Sequence, residues 1–139
     1  MIEMQMNRSG IDIHIPFAEH LGVRLLSQVD GRAEIELALE GEHHNSWGKA
    51  HGGVLLSLLD IVMGLGARSL DPGSTGAVTI ELKTNFLRVA EGTLRASSHA
   101  TRIGKNLIYV EGDISGDDGD DVAKATGTFK LNYPKESRT

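Results

Sequence analysis

The chain has no cysteine among its 139 residues. That excludes a disulfide framework, a thiolate metal site and a cysteine nucleophile, and it suits a reducing compartment, so a cytoplasmic location is expected. Positive charge is also scarce: 14 Lys and Arg stand against 19 Asp and Glu, a formal net charge of −5. Nucleic acids and acidic membrane surfaces both require a basic footprint, so neither is an expected partner, although a local basic patch could hold one phosphorylated ligand. No basic segment leads into a long apolar run near Met1, so no signal peptide is expected. A membrane-crossing run is missing too, because Ser57, Asp60 and Gly64 interrupt the most apolar stretch. No repeat or low-complexity linker divides the sequence, and its length predicts one domain, 1–139, with a core that needs no staples. Residues 1–15 and 133–139 are expected to be peripheral or frayed.

What is present concentrates in one stretch. The polar loop Asn45-Ser46-Trp47-Gly48-Lys49-Ala50-His51-Gly52-Gly53 runs directly into Val54-Leu55-Leu56-Ser57-Leu58-Leu59-Asp60-Ile61-Val62-Met63. A lone carboxylate among leucines must find hydrogen-bonding partners or change its protonation, which makes Asp60 the first candidate functional residue. Upstream, Pro16 predicts a short helix closed by Gly22, and Asp30-Gly31 predicts a two-residue hairpin between strands at 23–28 and 33–39. The apolar stretch predicts a helix over 52–69, stopped by Asp71-Pro72-Gly73. Its apolar residues run all round rather than along a stripe, so enclosure on most sides is expected. Strands at 77–87, 93–102, 107–114 and 122–131 supply the wrapper. The result is an α+β fold with about six antiparallel strands around one long central helix.

Two metal readings fail on spacing. His43, His44 and His51 have no carboxylate or cysteine at a ligand interval, so no metal is expected there. The run from Asp113 to Asp118 evokes a calcium loop, but its sixth position is Asp118 and its twelfth Lys124, so it is read as an acidic turn. Trp47 is either a lid over an acyl pocket or a packing residue.

Asn45, Gly48, His51-Gly52-Gly53 and Asp60, followed by Ala77-Val78-Thr79-Ile80-Glu81-Leu82, Gly104 and Ala125-Thr126-Gly127-Thr128-Phe129, resemble the hotdog-fold thioesterases. The resemblance is to the phenylacetate-type (PaaI-like) acyl-CoA thioesterase family and spans about 16–131. It implies a hotdog fold paired into homodimers, with tetramers a further option. It implies hydrolysis of an aromatic or short- to medium-chain acyl-CoA to the free acid and CoA, without a cofactor.

Residue by residue, the Gly52 amide would polarise the thioester carbonyl, with Asn45 assisting as a second donor. Helix-start amides lack intrahelical partners, so both Gly52 and Gly53 are expected to be free donors. Asp60 would act as general base or nucleophile, Thr79 would help hold the water, and His51 would take a supporting or leaving-group role. Gly53, Arg88, Arg102 and Lys105 are the candidate CoA-binding residues. Leu56, Leu59 and Met63 are candidate acyl-pocket residues or simple packing residues.

Gly52 and Asp60 are eight residues apart, so along one helix they are separated by ~12 Å and turned by roughly 80°. One carbonyl cannot touch both. The spacing therefore predicts a composite site, with Asn45, His51 and Gly52 from one chain and Asp60 and Thr79 from its partner. A hydroxyacyl-thioester dehydratase or hydratase and a non-catalytic acyl-CoA-binding module are the other readings of such a fold. Asp60 with Asn45 and Thr79 disfavours the first, and thiol release separates the second.

Overall fold

A computed structural model of the chain describes residues 14–135. Helix α1, Pro16–Leu21, starts on its proline and ends at Gly22, whose φ of 92° turns the chain so that the Val23 N–H reaches back to the Ala18 carbonyl. Strands β1, Arg24–Val29, and β2, Arg32–Ala38, follow as a hairpin. Asp30 and Gly31 both have positive φ, 52° and 80°, which matches the twist of paired strands. A one-turn 3-10 segment, Gly41–His43, and a loop lead to helix α2, Gly52–Arg68. Then come β3, Gly76–Phe86, β4, Thr93–Ile103, β5, Ile108–Ser115, and β6, Asp121–Asn132.

All six strands join one antiparallel sheet in the order β1-β2-β4-β5-β6-β3. Helix α2 contacts every strand, so the sheet curves about it as expected. Alternation explains the packing: Ala33, Ile35 and Leu37 of β2 and Ile108, Val110 and Ile114 of β5 turn inward. They meet Leu55, Leu58, Leu59, Val62 and Met63 of α2, with Phe129 of β6 fully buried among them. Each such side chain contributes ~1.5–3 kcal/mol on full burial.

The expectation that α2 is enclosed on most sides is corrected here. Its buried residues cover one face, whereas Gly53 and Leu56 are exposed and Ser57, Asp60, Gly64 and Arg68 only partly covered. These positions recur every three or four residues and form one stripe along the helix. Strand β3, which lies beside that stripe at the sheet edge, is largely exposed as well.

Expectations for the two termini fall mostly outside the described residues, apart from 14–15 and 133–135. Within these, Ile15 packs against the core, and the Tyr133 hydroxyl donates to Asp71 Oδ2 at 2.6 Å. That bond, with a second from the Gly73 N–H, holds the Asp71 carboxyl below its usual range. No helix among the described residues is long and apolar enough to cross a membrane.

Candidate active site

The loop before α2 is rigidly sewn to its surroundings. The Asn45 Oδ1 accepts from the backbone N–H of Trp47 at 2.9 Å and of Lys49 at 3.1 Å. Because Oδ1 is fixed as the acceptor, Nδ2 is left as the donor end of the amide. Lys49 Nζ meets Glu91 at 2.6 Å and keeps that carboxyl below its usual range, while the Ala50 N–H donates to the Ala90 carbonyl. His43 is buried and structural: Nδ1 accepts from the Glu40 N–H at 2.9 Å, and Nε2 donates to the Leu21 carbonyl at 2.7 Å. Trp47 is 80% exposed and packs against no core.

At the helix start the structure departs from the expectation of two free glycine amides. His51 is the N-cap, and its Nδ1 accepts from the Gly53 N–H at 2.8 Å. A side-chain acceptor at this position satisfies one of the otherwise orphaned donors. Val54 and Leu55 donate to the His51 carbonyl, and the His51 N–H to that of His43. Of the amides opening the helix, only that of Gly52 lacks an acceptor among the described residues. The phenyl ring of Phe86 lies nearby, 3.9 Å from where a Cβ on Gly52 would sit.

Two turns further along, the Thr79 hydroxyl donates to Asp60 Oδ1 at 2.6 Å. Strand β3 makes this possible through a bulge. Its register against β6 shifts between Thr79 and Glu81, so Ile80 is an extra residue. Without it, Ala77 and Thr79 could not share the helix-facing side with Leu82 and Thr84, because facing positions alternate strictly. The sequence gives no turn residue at Ile80 to signal this.

A groove of about 310 Å³ opens beside the Asp60–Thr79 pair, lined further by Ile15, Ile61, Gly64 and Arg68. Leu59 and Met63, candidate pocket residues from the sequence, are instead fully buried in the core, and Leu56 is exposed on the open stripe. Arg68 was not singled out from the sequence. The signal for it is the spacing Asp60, Gly64, Arg68, which places all three in one row on a helix.

The candidate CoA-binding cations separate. Arg88 is committed within the chain: its guanidinium donates to Asp118 Oδ1 at 2.6 Å and to the carbonyls of Asp120 and Asp121 at 2.8 and 3.1 Å. It holds the turn between β5 and β6, where the Asp120 N–H, and after it the Arg88 guanidinium, keep the Asp118 carboxyl below its usual range. Arg102 and Lys105 lie at the opposite end of the sheet, where Lys105 and Lys130 line a surface cavity of about 400 Å³.

A single long helix cradled by a six-stranded antiparallel sheet defines the hotdog fold, and comparison with known proteins makes this chain a thioester hydrolase of that fold. The chain belongs to the thioesterase superfamily, whose family model matches residues 48–123. A protein of Saccharolobus solfataricus named as a candidate esterase is 34% identical over 112 residues, covering 80% of this chain and 79% of that protein. Acyl-coenzyme A thioesterase 13 of Homo sapiens is 25% identical over 107 residues, 76% of this chain and 71% of the relative. Among solved structures, a phenylacetic acid degradation-related protein of Ralstonia eutropha JMP134 is 31% identical with a TM-score of 0.77, covering 85% of this chain and 92% of that one. A thioesterase protein of Streptococcus pneumoniae TIGR4, solved with coenzyme A, is 26% identical with a TM-score of 0.74, covering 82% and 91%.

Proposed function

We propose that the chain hydrolyses acyl-CoA thioesters at two composite sites formed across a two-fold dimer axis. The observation that carries this reading is the 2.6 Å bond between Thr79 and Asp60 on the open stripe of α2. It lies ~12 Å along the helix from the free Gly52 amide, too far for both to serve one carbonyl. Antiparallel pairing of two such helices brings Gly52 of one protomer to Asp60 of its partner. Strand β3 supports the pairing, because it is an 11-residue edge strand with exposed Val78 and Ile80. A long open edge of that kind is a template for a second strand.

In this reading the thioester oxygen accepts from the Gly52 N–H and from Asn45 Nδ2, which stabilise the charge it gains as the carbonyl carbon is attacked. The partner's Thr79 hydroxyl occupies Oδ1 of the partner's Asp60 and leaves Oδ2 to take a proton from water or to attack directly. His51 fixes the loop and helix start through its bond to Gly53 rather than contacting substrate. The relatives that bind or act on coenzyme A esters support CoA as the thiol, with Arg102 and Lys105, which have no ion-pair partner among the described residues, as candidate cations for its phosphates.

Subunit exchange tests the proposal. Asp60→Ala removes the carboxylate. Gly52→Pro removes the amide at a position where proline fits, since the preceding His51 has φ −65° and ψ 138°, the conformation a pre-proline residue prefers. Each variant alone should release no thiol from a panel of acyl-CoAs. Mixed in equal amounts and allowed to exchange, they should recover about a quarter of wild-type activity, because half the dimers are mixed and each carries one intact site. A mixture that stays inactive after exchange would rule out the shared site.

A further inference from the structure

We propose that the groove beside Asp60 selects acyl groups that end in a carboxylate, with Arg68 as the residue that reads it. The inference rests on the thioesterase reading above and names its substrate class. The groove is lined by Asp60 and Thr79 together with Arg68, which follows Asp60 by two turns on the same helix. Its flanks are apolar, from Ile15, Ile61 and Ala77. A simple hydrocarbon tail would be served by apolar lining alone.

Arg68 is the anomaly. It is partly covered, and its Nε is shielded from solvent without an acceptor among the described residues. A desolvated guanidinium donor without a partner is costly, and a carboxylate is the group its planar fork matches best. The other charges facing the groove do not meet that need. Asp60, bonded to Thr79 through Oδ1, lies two helical turns from Arg68, and His14 is paired with Glu19 at 2.6 Å. A cation in the last turn of α2 also complements the helix dipole, but that role does not require a buried Nε.

Geometry sets the length of the acyl group. Asp60 and Arg68 are two turns apart, ~12 Å along the axis, and helix side chains lean toward the N-terminus, which brings the guanidinium back toward Asp60. The remaining span suits a short dicarboxylic half-thioester. Gly64 lies between the two, and a Cβ there would meet only the Phe129 ring at 3.8 Å, an ordinary contact. The fold does not require a glycine at this position, and its bare surface widens the groove.

Adipyl-CoA and hexanoyl-CoA have acyl chains of equal carbon number and differ in the terminal carboxylate, so their ratio of kcat/KM tests the proposal. Wild type should favour adipyl-CoA by about tenfold or more, the usual effect of a charge-assisted hydrogen bond. Arg68→Met should bring the ratio to one or below, and Arg68→Lys should retain an intermediate preference. A wild-type ratio at or below one, or an unchanged ratio in Arg68→Met, would overturn it. So would an unchanged ratio accompanied by dissociation of Arg68→Met on size-exclusion chromatography, which would give Arg68 to a partner-subunit carboxylate. Failure of the wider acyl-CoA panel to release thiol, by contrast, would count against the thioesterase reading and leave the groove to be judged by binding. Calorimetric binding of the same two esters to wild type and Arg68→Met then decides the groove, with equal affinities counting against it and an Arg68-dependent preference for adipyl-CoA supporting it.

Discussion

Gly64 and Gly66 are two residues apart on α2, yet an added Cβ would meet opposite surroundings at the two positions. At Gly66 it would lie 2.6 Å from Ser98 Oγ and 3.2 Å from the Gly31 carbonyl oxygen. Ser98 cannot simply swing away, because it is buried and its hydroxyl donates to the Val62 carbonyl at 2.7 Å. At Gly64 the same atom would meet the Phe129 ring at 3.8 Å and nothing closer. One face of the helix is pressed onto the sheet as tightly as a backbone allows. The other keeps a carboxylate, a hydroxyl partner and an arginine beside an open groove. The comparison teaches that a single helix is divided by face, with close packing on one side and, on the other, the polar groups to which the proposed chemistry is assigned.

The largest effect that would break this division is expected at Asp60. Asp60→Asn keeps an oxygen for the Thr79 hydroxyl, so its melting temperature should hardly move, while kcat for acyl-CoA should fall by about 10²–10⁴, the usual worth of a general base. A large loss of stability in this variant would mean that the open face also holds the fold together. Next comes Gly66→Val, expected to cost ~1–3 kcal/mol in urea unfolding through overpacking against Ser98 and the β1–β2 turn. Gly64→Ala should do the reverse, stabilising by up to ~0.8–1 kcal/mol through helix propensity while narrowing the groove. Its kcat/KM should drop more for bulky acyl groups than for acetyl-CoA. Equal stability changes at Gly64 and Gly66 would erase the contrast.

The smallest effect extends the comparison to the sheet. Burial on its partly covered outer side pushes the Asp113 carboxyl up, with Asp121 adding to the rise and Lys124 and His99 opposing it. A carboxyl raised in the folded state is charged at some expense of stability above its folded pKa, and that expense vanishes as pH falls and the group protonates. Asp113→Asn should therefore raise the melting temperature slightly at pH 7, with the gain shrinking toward pH 4. A gain that grew on acidification would reverse the sign.

The hairpin at Asp30-Gly31, the span of α2 and the four later strands were legible in the sequence because turn residues and alternation mark them locally. The open face of α2 was not. Ile61 and Val54 sit among leucines, so hydrophobicity alone hid the stripe on which Leu56, Asp60, Gly64 and Arg68 lie. Leu59 and Met63 had the right chemistry for a pocket and the wrong angular position for it. The bonds that commit Arg88 to the 116–121 turn and His51 to Gly53 are equally invisible in a string of letters, since both depend on where backbone carbonyls and amides come to rest. The pairing of Thr79 with Asp60 was legible only in part. Resemblance had put the two residues on the same chain's half of one site, with Thr79 holding water, but neither the hydrogen bond between them nor the bulge at Ile80 that makes it possible was expected.

The Asn45 turn carries a consequence for how such a protein would age. The Trp47 and Lys49 N–H groups of that turn both donate to Oδ1. Asparagine is among the thermolabile residues, and loss of its amide nitrogen leaves a carboxylate that would accept the same two bonds. The loop would keep its shape while a donor became a repelling charge where the thioester oxygen is proposed to sit. Under the proposed roles a stored sample is expected to lose turnover with little change in its melting curve, because the turn is held through the oxygen while the proposed bond to the thioester uses the nitrogen.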